Sequence, residues 1–399
     1  MRKRAWWSGF ACGAMAAGLV AVLAGRGAPT AEAGGARFDR ESFHQALDAV
    51  LDRYVEPVDG SALLADALKH IVAGLDGYSH FLTAAERKAL RDQPKDGTTG
   101  LTVHLHALPG GGDRVLEVLG VLPGSPADGV GLVPGDHILE IDGTEVGRLL
   151  SQVQAEARLT GEIGSEVALL AQRKGTAEPE RIDLTLGAGE QRLVVGELVD
   201  VTDGRGAATR AALVRVRVFR RGVGQGVKKE LARLRRAAGA DGLAGVILDL
   251  RGNPGGEVDE ALVVADLFVA DGILTRTRGR GGRILREERA HEAGTDTTTP
   301  LAVLQDRHTA SAAELLTAAL RDNGRAQSIG ERSYGKGTVQ EIMGMPDGSV
   351  LKLTIARYFS PSDRVIDGVG IAPDLELPAS KRERAVDEAL RVLGLLRAG

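Results

Sequence analysis

The feature that most restricts the fold is an alternation that begins near Leu193. "ALVRVRVF" is followed by the amphipathic stretch "GVKKELARLRRAAG" and then by the unbroken apolar run "GVILDL". "EALVVADLFVA", "LAVLQD" and "SAAELLTAALRDN" continue the same beat of strand and helix. Continuous apolar strands are covered on both faces, and parallel strands need crossovers, which helices supply. Residues 193–378 are therefore expected to form an α/β domain around a largely parallel sheet, closed by a helix over 380–397.

The preceding segments read differently. Residues 98–186 show short alternating strands and turns, from "GLTVHL" to "ERIDLTL". Residues 38–94 read as helices. "FDRESFHQALDAVLDRYV" sets Phe43, Leu47, Val50, Leu51 and Tyr54 at helical spacing, and Thr83 with Glu86 makes a capping box. This is a helical module that packs or dimerises. The chain starts with the basic "MRKR", about 20 apolar residues, and an A-x-A site at Ala31–Ala33. Residues 1–33 thus read as an export signal, cleaved or kept as a membrane anchor. The sole cysteine, Cys12, lies inside it, so the remainder has no disulfide and no thiol nucleophile. The formal net charge of −4 gives no basic surface for nucleic acid.

Two turns at strand ends carry the chemistry. In "LAVLQDRHTASAAELL" a polar turn leads from a strand into a helix, with Ser311 at the helix start. Ser311 and Glu314 match a capping box, and most such serines only cap. The same place suits a nucleophile, because a helix N-terminus offers free N–H groups to an oxyanion. A nucleophilic serine needs a base. Only His308 among the eight histidines is close in sequence, and no histidine–aspartate pair fits around Ser311. A buried lysine can serve instead, since burial lowers its pKa from about 10.4. "SYGKGTVQ" supplies Lys336 without the frame of a phosphate loop. Read as a strand, it sets residues 336, 338 and 340 on one face, so that Gln340 can orient the amine. A surface lysine in a loop is the plainer alternative. The second turn, "LDLRGNPGG", is either a tight glycine turn or the source of a second oxyanion donor from Gly255 or Gly256, with Arg251 paired to an acid.

Together, "VILDLRGNPGG", "TASAAELLTAALRDNGRAQSIGERSYGKGTVQ" and "LKLTIARYFSPSDRVIDGVGIAPD" resemble the carboxyl-terminal processing peptidases, or tail-specific proteases. The resemblance runs from "YVEPVDGSALLADALKHIVAGLDGYSHFL" to "IAPDLEL". It implies an α/β, ClpP/crotonase-like protease core with an inserted PDZ domain at 98–186 and an N-terminal helical region. It also implies an exported Ser–Lys endopeptidase with Ser311 as nucleophile, Lys336 as base and Gln340 beside it. The oxyanion donors would be Ala312 and one of Gly255 and Gly256. Within the PDZ domain, "TGLTV" matches the loop that captures a peptide carboxylate, which assigns Leu101, Thr102 and Val103 to peptide binding. Substrates are then proteins or peptides with free C-termini, with no cofactor, metal or nucleic acid. A homodimer through the helical regions and an adaptor protein stay open.

The chain departs from the family pattern at Ala313, at Asp363 where glycine is usual, and at Leu75–Ser79 ("LDGYS" for "LDPHS"). The turn at Asp363 is expected to differ, and none of the three is expected to touch the catalytic set. A non-catalytic PDZ scaffold is the alternative from another class, opposed by the joint presence of Ser311, Lys336 and Gln340. A Ser–His–Asp protease ranks third.

Overall fold

The structure is a computed structural model that describes residues 38–107, 114–149, 151–188, 192–202, 208–291 and 294–396. The export segment expected at 1–33 lies outside them. Among the described residues no helix is long and apolar enough to cross a membrane. The chain divides into two compact units, Met1–Leu63 and Leu64–Gly399.

Helix α1 (Arg40–Arg53) is capped by Asp39, whose carboxylate accepts the Ser42 N–H at 2.9 Å. It buries none of its residues, and Val50, Leu51 and Tyr54 of its apolar row stay exposed. Helix α2 (Gly60–Ala73) follows. The all-helical expectation for 38–94 then fails at strand β1 (His80–Leu82), which pairs antiparallel with residues 350–352. After the helix ends at Ala73, Asp76 holds the chain in a turn by accepting the N–H groups of Tyr78 and Ser79, at 2.8 and 2.7 Å. Helix α3 (Ala84–Asp92) starts at the expected Thr83–Glu86 capping box.

The next layer is an antiparallel sheet of β2 (Leu101–Ala107), β3 (Arg114–Val121), β4 (His137–Ile141), β5 (Glu166–Gln172) and β6 (Glu180–Thr185), paired in that order. Val103, Leu105, Leu116, Val118, Ile138 and Leu169 meet in its core. The segment is not strands and turns alone: helix α4 (Gln152–Arg158) packs against β2. Its start was written in the sequence as Ser151-x-x-Gln154, a capping box that short-strand patterning obscured.

The largest layer holds β7 (Val194–Thr202), β8 (Ala208–Val216), α5 (Val223–Ala238), β9 (Gly245–Asp249) and α6 (Val258–Asp266). After β10 (Ile273–Gly279) and β11 (Ile284–Arg289) come β12 (Leu301–Gln305), α7 (Ala312–Asp322) and β13 (Gln327–Gly330). The chain ends with β14 (Thr338–Gly344), β15 (Val350–Phe359), β16 (Leu375–Glu376) and α8 (Ala385–Val392), the last preceded by a 3₁₀ turn over Ala379–Arg384. The main sheet has the order β7-β8-β9-β12-β13-β16 and is parallel from β8 onward. Alternate residues of its strands feed two cores. Val246 and Leu248 face α5, α6 and α7, whereas Ile247 faces α8. Ile247 and Leu248 are fully buried, and each burial contributes about 1.5–3 kcal/mol.

A second, antiparallel sheet joins β1, β15, β10 and β11, with β14 on β15, and was not expected. Its strands β11 and β14 are largely exposed and polar, so they lack the apolar runs that revealed the main sheet. The turn at Asp363 keeps the glycine conformation, with φ 64°, and its carboxylate pairs with Arg278 at 2.5 Å.

Candidate active site

Parallel pairing of β9 with β12 sets Asp249 opposite Leu304, so the loops after both strands leave the same end of the sheet side by side. That end is where open α/β sheets place their ligands. The first loop is tied down by Asp249, which is fully buried between Arg251 (2.8 Å) and Arg215 (2.5 Å). Arg251 thus has the acidic partner the sequence asked for. The loops are then bonded to each other. Asp306 accepts the Gly252 N–H at 2.9 Å, and Asn253 O accepts the Ala310 N–H at 2.9 Å.

These bonds present Ser311 in a strained pose. It has φ 54° and ψ −120°, uncommon for a residue with a side chain and costing about 1–3 kcal/mol. Gly255 packs directly against it: a Cβ on Gly255 would lie 2.7 Å from Ser311 Cβ and 2.9 Å from Ala312 N. A Cβ on Gly256 would lie 2.0 Å from Phe219 O. Both positions also have positive φ, so both require glycine. The Gly255 N–H donates to Asn253 Oδ1 at 2.9 Å. The N–H groups of Gly256 and Ala312 take no partner among the described residues, and Ala312 follows Ser311 directly.

Glu314 does far more than cap the helix. Its buried carboxylate accepts from Ser333 Oγ (2.5 Å), Gly335 N (2.7 Å), Lys336 N (2.8 Å) and Ser311 N (2.8 Å). Burial raises its pKa, and the four donors pull the other way. Ser311 and Lys336, 25 positions apart in the chain, are thus held by one side chain.

Lys336 is half-buried in the coil before β14, not in a strand, and a bulge between Val339 and Gln340 breaks the face expected to carry 336, 338 and 340. Burial lowers the lysine pKa and Lys352 lowers it further, against the charges of Glu156 and Glu314. Its Nζ stands 5.1 Å from the centroid of the Tyr78 ring and makes no hydrogen bond to Ser311 Oγ. Gln340 donates to Thr338 Oγ1 at 2.8 Å and Thr354 Oγ1 at 3.3 Å, not to Lys336. His308 Nε2 faces Arg307 Nε at 3.0 Å, and burial lowers its pKa to about 4.

The altered "LDGYS" segment does touch this set, contrary to expectation, because β1 carries it to β15 and so beside Lys336. Tyr78 in turn stacks on His104 of β2, with ring centroids 4.8 Å apart and Tyr78 Oη 3.2 Å from His104 Nε2. His104 also meets the edge of Tyr334. Leu101, Thr102 and Val103 lie at the start of β2, away from Ser311 in sequence and on the sheet that contributes His104.

Residues 210–377 match the model of peptidase family S41, and residues 117–173 match a PDZ domain. The chain is 30% identical over 368 residues to the chloroplastic C-terminal processing peptidase of Tetradesmus obliquus, covering 90% of this chain and 76% of that one. It is 32% identical over 337 residues to the carboxyl-terminal-processing protease of a Synechocystis strain, covering 84% and 76%. The chain belongs to the carboxyl-terminal processing peptidases. Its fold is similar to that of a solved photosystem II D1 C-terminal processing protease, with a TM-score of 0.74 and 29% identity over 88% of this chain and 91% of that one. It is accordingly a serine peptidase of mixed α/β fold with a PDZ domain, and not a scaffold. Relatives come from bacteria and from chloroplasts.

Proposed function

We propose that this peptidase is an exported endopeptidase that works through Ser311 and Lys336 and selects protein substrates by their C-terminal tails. The observation that supports the pairing most is the shared Glu314 carboxylate, which holds the main chain of both residues. In the reaction the Lys336 side chain leaves the Tyr78 ring and its neutral amine takes the proton of Ser311 Oγ as that oxygen attacks the scissile carbonyl. The N–H groups of Ala312 and Gly256 receive the oxyanion; Gly255 shapes the turn, since its own N–H is committed to Asn253. The ammonium then returns the proton to the leaving amine, and water, deprotonated by the same lysine, releases the acyl-enzyme. Gln340, whose amide donates to Thr338 and Thr354, would have to exchange one of these bonds to orient the amine.

The assigned domains are an export or anchor segment at 1–33, a helical region at 38–94, a PDZ domain at 98–186, a protease core at 193–378 and a C-terminal helix within 380–397. The exposed apolar row of α1 supports a homodimer through the helical region. The basic start and apolar run support a place in the periplasm or cell envelope. Tail recognition falls to Leu101, Thr102 and Val103, whose main chain opens the edge strand β2. The test is casein digestion by the wild-type protein beside Ser311→Ala. Cleavage by the first and none by the second is expected, and equal digestion by both would remove Ser311 from the mechanism.

A further inference from the structure

Among the described residues, strand β2 is bonded on one side only, to β3, and forms an edge of its sheet. Main-chain groups on such an edge invite another strand. Here three of them are held by the chain's own side chains. Thr99 Oγ1 accepts the Leu101 N–H at 3.3 Å. Gln152, the first residue of α4, donates from Nε2 to Val103 O at 2.6 Å and accepts the Leu105 N–H on Oε1 at 2.7 Å. Its Nε2 also donates to Glu156 Oε1 at 2.9 Å, one turn along the helix. A flipped amide would set its NH₂ against the Leu105 N–H, so all three bonds agree on one orientation. Gln152 is 7% exposed.

Val103 O and Leu105 N are two residues apart on the open side of β2, which makes them a donor and an acceptor that an added strand has to engage. The carboxamide supplies the complementary acceptor and donor and therefore stands in the place of a partner strand's main chain. We propose that Gln152 is a built-in competitor for the substrate tail, occupying the ladder positions that the tail must take and so setting how tightly a tail is held. The proposal rests on the reading of β2 as the tail-binding edge. A tail that enters exchanges its own bonds for those of Gln152 nearly one for one, which leaves little net gain from the ladder. Discrimination then falls to the terminal carboxylate and the tail side chains. Without the amide, Val103 O and Leu105 N are left unpaired in the free protein and gain partners only when a tail arrives.

The test uses the full chain with Ser311→Ala, to keep peptides intact, and a fluorescein-labelled decapeptide ending in Ala-Val-Val as free acid or C-terminal amide. Anisotropy titrations compare Gln152, Gln152→Met and Gln152→Ala. Methionine fills the same volume without donor or acceptor, and alanine guards against a methionine that seals the edge. Losing two competing bonds of ordinary strength should tighten free-acid binding about tenfold, with the amide weaker throughout. Hydrogen exchange gives a second readout: the Leu105 amide should be protected in the unliganded Gln152 protein, exchange faster in both variants, and regain protection when the tail binds. Equal or weaker free-acid affinity in both variants, with the free acid still preferred over the amide, overturns the competitor and leaves tail recognition standing. No binding of either peptide to any of the three proteins overturns tail recognition itself, and the competitor with it.

Discussion

One oxygen of Glu314 accepts the main-chain N–H of Lys336 at 2.8 Å while it also takes the N–H of Ser311. The carboxylate is fully buried and receives only donors. Glu314→Gln puts an NH₂ among those donors and leaves at least one of them unsatisfied, at about 1–3 kcal/mol. A melting temperature several degrees lower is expected, together with a loss of proteolysis of about 100-fold from misplacement of the two residues. Calorimetry and a peptide cleavage assay on the same preparation check this. An active, unperturbed Glu314→Gln protein would reduce Glu314 to a helix cap.

Ser311→Ala and Lys336→Ala should each abolish cleavage, and the double variant should be no worse than either, because such residues act as a unit. Lys336→Arg should fail as well, since a guanidinium does not give up its proton. These substitutions leave the four Glu314 bonds in place, so thermal stability should change little. Cleavage at unchanged specificity by Lys336→Ala would end the assignment of the lysine as base.

How much of this was legible beforehand follows from where the free energy lies. The main sheet showed in the sequence because β9 and β12 are buried on both faces and must be apolar throughout. Ser311, Lys336 and the glycines stood out through their turns and their joint resemblance to one family. The second sheet was hidden, since β11 and β14 are exposed enough to use ordinary polar residues. Glu314 looked like a cap because three of its four partners come from residues 333–336, which no local pattern brings near. The Leu75–Ser79 segment gave no local sign of its place for a similar reason: Tyr78 reaches Lys336 only because β1 joins β15, a pairing between residues about 270 positions apart. Gln152 belongs to a seven-residue helix whose capping box is its one local signal amid strand-patterned sequence.

Tyr78 bears on the lysine through its ring face. A cation is attracted to that face, which favours the ammonium and opposes the effect of burial. Tyr78→Leu keeps the site apolar without the ring quadrupole, so the amine should lose its proton more easily. The kcat/KM profile, which rises with pH as the lysine deprotonates, should move to the acid side by about half a pH unit or more in Tyr78→Leu. Tyr78→Phe should keep the wild-type profile. Superimposable profiles for all three proteins would show that the ring does not act on the titrating group.

Acid should weaken the protein before its carboxylates begin to titrate. Burial lowers the pKa of His104 to about 3 and those of His80 and His308 to about 4, against an ordinary value of 6.5. Below pH 6.5 the unfolded chain binds protons that these folded rings refuse, so stability falls as the pH drops from 6.5 toward 4. Below the folded values the histidines contribute no further loss. The slope is at most about 1.4 kcal/mol per pH unit for a ring such as His104. Glu314, raised by burial, pulls the other way, and Asp249 and Asp374, both lowered, lose stability only in more acid solution. His104→Phe keeps a ring against Tyr78 and removes the titration, so its melting temperature should fall less between pH 6.5 and 4 than that of the wild type. Calorimetric scans at half-unit pH steps check this. Parallel curves for the two proteins would mean that His104 takes up its proton without leaving the stack.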